Sequence, residues 1–284
     1  MSIARKPHWL QKKVRPGAHA EMDRLVGDLQ LNTVCREACC PNITECFSRK
    51  QATFLILGAA CTRLCAFCSV SKEPPVPPDP GEAARVAEGV VRLGLRHVVV
   101  TSPTRDDLPD GGAAFFAAAV AAIRAVAPAT AVELLIPDFN GNREALAAVV
   151  AARPDILGHN VETVPRLYSI RQGADYSRSL GVLASVRELA PELKTKSGIM
   201  VGLGETVDEV LRLFADLREA GCSYLSVGQY LAPSRAHAPV REFITPDQFD
   251  RYRVEALALG FEHVESGPYV RSSYLAEQYT KEPH

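Results

Sequence analysis

GIMVGLGETVDEVLRLFADLREAGCSYLSVGQ, residues 198–229, reads as one strand–helix–strand unit. An apolar run at 198–201 turns through Gly202, Leu203 and Gly204 into Thr206-x-x-Glu209, a capping box. In such a box the threonine hydroxyl and the glutamate carboxylate each take a backbone N–H that a helix start leaves free. Val207, Val210, Leu211, Phe214 and Leu217 then follow the stripe of a half-buried helix, and a second apolar run follows at 225–229.

The same alternation extends outward. Strands are expected at 53–57, 97–101, 132–136, 156–159, 198–201 and 225–229. Helices are expected near 82–93, 111–127, 142–152, 177–190 and 207–220. Asp79-Pro80-Gly81-Glu82 opens one helix, and Thr245-Pro246-Asp247-Gln248 opens another with proline at its first position. Repeated βα units imply a parallel sheet. Six are too many for a two-layer sandwich and too few for a closed eight-stranded barrel. The expected fold is therefore α/β, a partial (β/α)6 barrel over 51–260, with an N-terminal extension at 1–50 and a C-terminal one at 261–284. Its chemistry belongs in the loops at the carboxyl ends of the strands. Residues 72–80 hold five prolines and should form a stiff link from the first such loop to the first helix.

A chain of 284 residues, 47% hydrophobic and 23% charged, is that of a soluble globular protein, which excludes disordered and fibrous classes. A net charge of −1 offers no field for nucleic acid. Only Arg5, Lys6, Lys12, Lys13 and Arg15 form a basic run, read as a solvated tail. The apolar run 113–123 stops at Arg124, well short of the roughly 20 residues that span a bilayer. The start of the chain has no secretory apolar segment, so the expected compartment is the cytoplasm.

Eight cysteines sharpen the reading: seven lie between Cys35 and Cys68, and Cys222 stands alone as a small buried residue. Disulfide frameworks belong to small secreted domains, so this cluster points to metal or catalysis. Cys61-x3-Cys65-x2-Cys68, in GAACTRLCAFCSV, suits three irons of a [4Fe–4S] cluster and leaves the fourth iron open for chemistry. The competing reading is structural zinc, which needs four closed ligands that His8 and His97 are poorly placed to complete. A second set, Cys35-x4-Cys40-x5-Cys46, lies in CREACCPNITECF. Cys39 offers an alternative spacing there.

The first motif resembles that of the radical S-adenosylmethionine superfamily, and residues 198–205 resemble that superfamily's Gly-x-Ile-x-Gly-x-x-Glu signature. The second set, together with Arg271-Ser272-Ser273-Tyr274, resembles the lipoyl synthase family. So do TRDDLPDGGA (104–113), LLIPDFNGN (134–142), HNVETVPRLY (159–168), RQGADYSRSL (171–180) and GQYLAPS (228–234). The resemblance implies two [4Fe–4S] clusters and S-adenosylmethionine as cofactors. Cys61, Cys65 and Cys68 would hold the radical cluster, with Phe67 and Gly202 beside the adenine. Cys35, Cys40, Cys46 and Ser273 would hold an auxiliary cluster, with Cys39 a bystander. Its departures from the family are Cys39 and the string LAEQY after Tyr274.

The activity implied is insertion of two sulfur atoms into an octanoyl-lysine, with the auxiliary cluster as sulfur donor. Implied partners are octanoylated carrier domains (2-oxoacid dehydrogenase E2 or glycine cleavage H protein), a one-electron reductant and iron–sulfur assembly proteins. By position at strand ends, Asn160 and Glu162 suit ribose hydroxyls, or else a helix cap. Arg171 suits the methionine carboxylate, or else a surface ion pair, and Lys196 is a similar candidate. Gly111 and Gly112 either admit the cofactor or start a helix. Asp106, Asp107 and Asp110 read as a solvated loop with no assigned role.

Overall fold

Residues 6–11, 20–38, 40–49 and 51–279 are described by a computed structural model of the chain. Arg5, Lys12, Lys13, Arg15 and Cys39 lie outside them. Eight strands form one sheet whose spatial order is its chain order. A short antiparallel β1 (Asn32–Thr33) borders β2 (Thr53–Leu55). Parallel pairing then runs through β3 (His97–Thr101), β4 (Ala131–Leu135), β5 (Ile156–Gly158), β6 (Lys194–Val201), β7 (Tyr224–Gln229) and β8 (His263–Gly267).

In the N-terminal extension lie α1 (Ala20–Asp28), α2 (Val34–Glu37) and α3 (Ile43–Ser48). The crossovers are α4 (Glu82–Leu93), α5 (Ala113–Val126), α6 (Arg143–Ala151), α7 (Tyr176–Leu189), α8 (Val207–Glu219) and α9 (Pro246–Ala258). Each of these six packs on the next in chain order. Crossovers of one hand between successive neighbouring strands put every helix on the same face of the sheet, and a right-twisted sheet covered on one face curls into a partial barrel.

Alternation along the strands sorts the residues. Val98, Val100, Val132, Leu134 and Leu157 face the helices and share a core with Val90, Phe116, Val120, Ile123 and Val149. Ile199, Val201, Leu225 and Val227 do the same with Val210, Leu213, Phe214 and Phe249. Full burial of each such side chain is worth about 1.5–3 kcal/mol. The opposite row faces the barrel interior and is largely polar or small: His97, Glu133, Lys196, Gly198, Ser226, Gly228 and Glu265. This explains two differences from the sequence reading. β6 begins at Lys194 rather than at 198, and β8 is a seventh parallel strand inside residues 261–284. Both carry polar inward residues, which hide a strand from a search for apolar runs.

The expected helix starts are present. Thr206 Oγ1 accepts from Glu209 N (3.3 Å) while Glu209 Oε2 accepts from Thr206 N (2.7 Å). Thr245 caps α9 ahead of Pro246. Gly111 and Gly112 lead into α5, where Asp110 accepts from Gly112 N and Ala114 N (both 2.8 Å).

Beyond β8 the chain crosses the inner face. Gly228 is required for this passage, since a Cβ there would stand 2.1 Å from the Val270 carbonyl oxygen. Tyr279 is buried among Ile156, Tyr224 and His263, and Lys196 Nζ sits 3.7 Å from its ring centroid. Among the described residues no helix is long and apolar enough to cross a membrane.

Candidate metal centres and cofactor site

The loop after β2 carries Cys61, Cys65 and Cys68, and backbone bonds from other βα loops hold it. Thr62 N donates to Thr104 O (3.0 Å), Ala66 N to Ile170 O (2.8 Å) and Ala238 N to Ala66 O (2.8 Å). Within it, Cys61 N donates to Ser71 O (2.8 Å) and Cys68 N to Cys65 O (3.2 Å). Three thiols are thus presented at the carboxyl end of the sheet by a loop held mainly through backbone bonds, with one thiol contact of its own, Arg63 N donating to Cys61 Sγ (3.4 Å).

Arg63 is the clamp of this loop. Its guanidinium is buried and donates to Asp106 (2.8 and 3.0 Å), Asp138 (2.9 and 2.6 Å) and Asn140 (2.8 Å). Arg178 Nε also donates to Asp138 (2.7 Å). Burial alone would raise the Asp138 carboxyl, but the hydrogen bonds and charge of Arg63, with help from Arg178, outweigh it and hold the group well below the usual range. A depressed carboxyl contributes stability above its unfolded value and loses it as pH falls through the folded value. Asp138→Asn is therefore expected to cost about 3 kcal/mol at pH 7, because it leaves the Arg63 charge under-compensated. The gap from the parent protein should narrow below about pH 4, and denaturant unfolding across pH checks both.

Around the loop stand the expected cofactor residues. Arg171 pairs in an isolated bridge with Cys65, and its Nη1 donates to Val161 O (3.1 Å) and to the Tyr168 hydroxyl. It makes no ion pair among the described residues, and its Nε is buried without a partner. Asn160 Nδ2 donates to Glu162 Oε1 (3.1 Å). Burial raises the Glu162 carboxyl against the pull of Arg171. Glu162 also holds φ +70°, a left-handed conformation uncommon for a non-glycine residue, which turns its side chain at the end of β5. His159 Nδ1 donates to Ile136 O (2.9 Å), burial lowers its pKa to about 4, and the neutral ring leaves Nε2 buried and unpartnered. Unanswered polar atoms at Arg171 and His159 fit a polar ligand at this end of the barrel.

Two further expected cofactor contacts are engaged with other parts of the protein. Lys196 Nζ donates to Glu133 Oε1 (2.9 Å) and covers Tyr279, so both its charge and its position are committed to the barrel interior. Gly202 (φ +98°) is hemmed in, since a Cβ would stand 2.2 Å from Gln229 Nε2 and 2.4 Å from Glu242 O. Glu205 accepts from the backbone N–H of Gly202 and of Leu203, which closes the turn on itself. The geometry shows Gly202 as a turn residue. Phe67, expected along the adenine, lies half-buried in the cysteine loop.

A second site lies where the two terminal extensions meet the barrel edge. One cavity is lined by Cys35, Cys40, Cys46, Thr53, Arg271 and Ser273. Thr53 Oγ1 donates to Ser273 Oγ (2.6 Å), Tyr274 OH to Glu45 Oε1 (3.0 Å), and Asn42 Nδ2 to Tyr269 O (2.6 Å). Ser272 turns the other way and donates to Asn160 Oδ1 (3.0 Å). Burial pushes the Cys35 thiol up to about 11, and the Cys65 thiol likewise, so binding metal must displace protons from them. Among the described residues no three His, Cys, Asp or Glu side chains converge on one ion position. Cluster ligands each bind a different iron and need not converge, so the donor set fits a polynuclear group. Cys222 is fully buried with its thiol raised to about 12, an inert position.

Sequence reasoning missed Arg63, Asp138, Asn140 and Arg178. The string LLIPDFNGN contains two of them, but nothing in its spacing points to Arg63.

The sequence profile of the Radical SAM superfamily matches residues 55–217. A lipoyl synthase of Geobacter metallireducens is 71% identical, covering 98% of this chain and 99% of its own. Another from Caldanaerobacter subterraneus subsp. tengcongensis is 54% identical, covering 96% of each. Among solved structures, SuiB of Streptococcus suis bound to S-adenosylmethionine aligns with a TM-score of 0.56 at 12% identity, over 91% of this chain and 58% of that one. Methylornithine synthase aligns with a TM-score of 0.55 at 13% identity, over 90% and 79%. At that identity the likeness concerns the fold alone.

Proposed function

The chain belongs to the lipoyl synthase family of radical S-adenosylmethionine enzymes, and from that premise we propose that it inserts sulfur at carbons six and eight of an octanoyl group amide-linked to a carrier-domain lysine. The observation that carries this reading is the convergence of Cys35, Cys40, Cys46 and Ser273 on a cavity that none of Cys61, Cys65 and Cys68 lines.

Both carbons are unactivated, so no side-chain base has a pKa that reaches their protons. When bound, two [4Fe–4S] clusters and S-adenosylmethionine supply the hydrogen-abstracting radical and the sulfur. The chain's own residues present and orient these groups. Cys61, Cys65 and Cys68 would hold the radical cluster through their thiolates. Arg171, whose backbone pairs with Cys65 and whose Nε has no partner, would take the methionine carboxylate. Asn160 and Glu162 would take the ribose hydroxyls, and Phe67 would offer its ring to the adenine. Cys35, Cys40 and Cys46 hold the auxiliary cluster, and Ser273 gives it a hard oxygen ligand, weaker on iron than thiolate and more readily released. The partners are the octanoylated carrier domain, a one-electron reductant and a cluster-assembly system that rebuilds the consumed cluster.

Anaerobic purification should give two [4Fe–4S] clusters per chain. Cys40→Ser should lose the auxiliary one, and Cys39→Ser should keep both, as read by iron and acid-labile sulfide counts. Stoichiometric zinc without acid-labile sulfide would sink the proposal.

A further inference from the structure

His97 begins β3 on the inner row and lines the same cavity as Cys35, Cys40, Cys46 and Ser273. Its side chain is 4% exposed, and its two ring nitrogens differ. Nε2 lies 3.1 Å from Glu133 Oε2, while the other Glu133 oxygen accepts from Lys196 Nζ at 2.9 Å. A carboxylate already ion-paired to Lys196 acts as an acceptor, so Nε2 carries a proton and Nδ1 is the ring nitrogen whose lone pair a metal would take. That Nδ1 is buried and has no partner. An imidazole whose far N–H is held by a carboxylate is the arrangement found on metal-bound histidines, where it fixes the tautomer and strengthens the donor. The pair of Glu133 and Lys196 needs such a reason, because a buried ion pair is seldom more stable than apolar side chains of similar size.

We infer that His97 Nδ1 is a reserve ligand of the auxiliary cluster, taking the iron position that Ser273 occupies once the serine oxygen is displaced. This rests on the reading that Cys35, Cys40 and Cys46 hold that cluster. Imidazole is a good donor to iron, and His97 is the histidine that lines this cavity. Glu133 and Lys196 are positioning residues: they act through His97 and touch no cofactor themselves. Tyr279, lying over Lys196, ties the same assembly to the tail that brings Ser273.

The test uses the full chain with Cys61, Cys65 and Cys68 replaced by alanine, so that only the auxiliary cluster is present after anaerobic reconstitution. Pulsed EPR of the reduced cluster reads a directly bound imidazole nitrogen. In that background Ser273→Ala should bring in this coupling. Adding His97→Gln should remove it, and isotopic labelling of histidine should alter it with His97 intact. Lys196→Met, which frees Glu133 to move, should lower resistance of the Ser273→Ala cluster to a chelator by about tenfold. A Ser273→Ala cluster with no imidazole coupling overturns the inference and leaves the proposed function standing. Absence of any cluster in the cysteine-replaced background overturns both.

Discussion

Replacing Cys61, Cys65 and Cys68 together by alanine is expected to drop S-adenosylmethionine cleavage to the uncatalysed background while halving, not abolishing, bound iron and sulfide. The loop's main anchors are backbone bonds to other loops and the Arg63 side-chain clamp, and only the Arg63 N–H contact with Cys61 Sγ is lost, so the chain should stay folded. The second set of cysteines sits on α2, on α3 and between them, outside this loop, and its cavity has its own lining. Alanine removes all protein thiolates at the first site, and no other side chain among the described residues completes three donors there. 5′-Deoxyadenosine formed per chain, with iron and sulfide counts, reads the result. Residual cleavage, or loss of both clusters, would show that the two sites are not separate.

Ser273→Ala should separate the two half-reactions. Cleavage of S-adenosylmethionine should stay within a few-fold of the parent, while lipoyl product per molecule cleaved should fall by more than about tenfold, the scale set by loss of a metal-directed contact. Ser273 faces the auxiliary cavity with its oxygen 2.6 Å from Thr53 Oγ1, and Ser272 faces Asn160. Ser272→Ala should therefore be much milder in sulfur insertion. If His97 captures the iron in Ser273→Ala, imidazole holds it more firmly than a serine oxygen does, which adds to the loss. Unchanged product per cleavage would remove Ser273 from the site.

Much of this arrangement was legible in the chain because its signals are local. The spacing Cys61-x3-Cys65-x2-Cys68, the capping box at Thr206 and the stripe from Val207 to Leu217 each depend on a few neighbouring residues. Arg63 was not legible, since its partners Asp106, Asp138 and Asn140 come from two later loops. The partner of Lys196 was hidden for a related reason: a lone lysine in a strand gives no hint that its row faces Glu133 on a strand more than sixty positions earlier. β1 is two residues long, and β8 alternates Val264 with His263 and Glu265, so neither shows an apolar run.

The tail's path across the barrel has a consequence for the order of events during synthesis. Thr53 and Ser273 are 220 positions apart, and Glu45 and Tyr274 are 229 apart. Every strand emerges from the ribosome before residues 268–279 do, and domains fold largely as their chain appears. A nascent barrel can therefore gather Cys35, Cys40 and Cys46 while its last oxygen donor is still unmade. Tail docking is thus the final folding event, and a chain truncated before Tyr269 would carry three auxiliary thiols in an open, oxidisable pocket. Chains arrested at that stage should react with thiol-alkylating reagents at Cys40 and Cys46 faster than released full-length chains do.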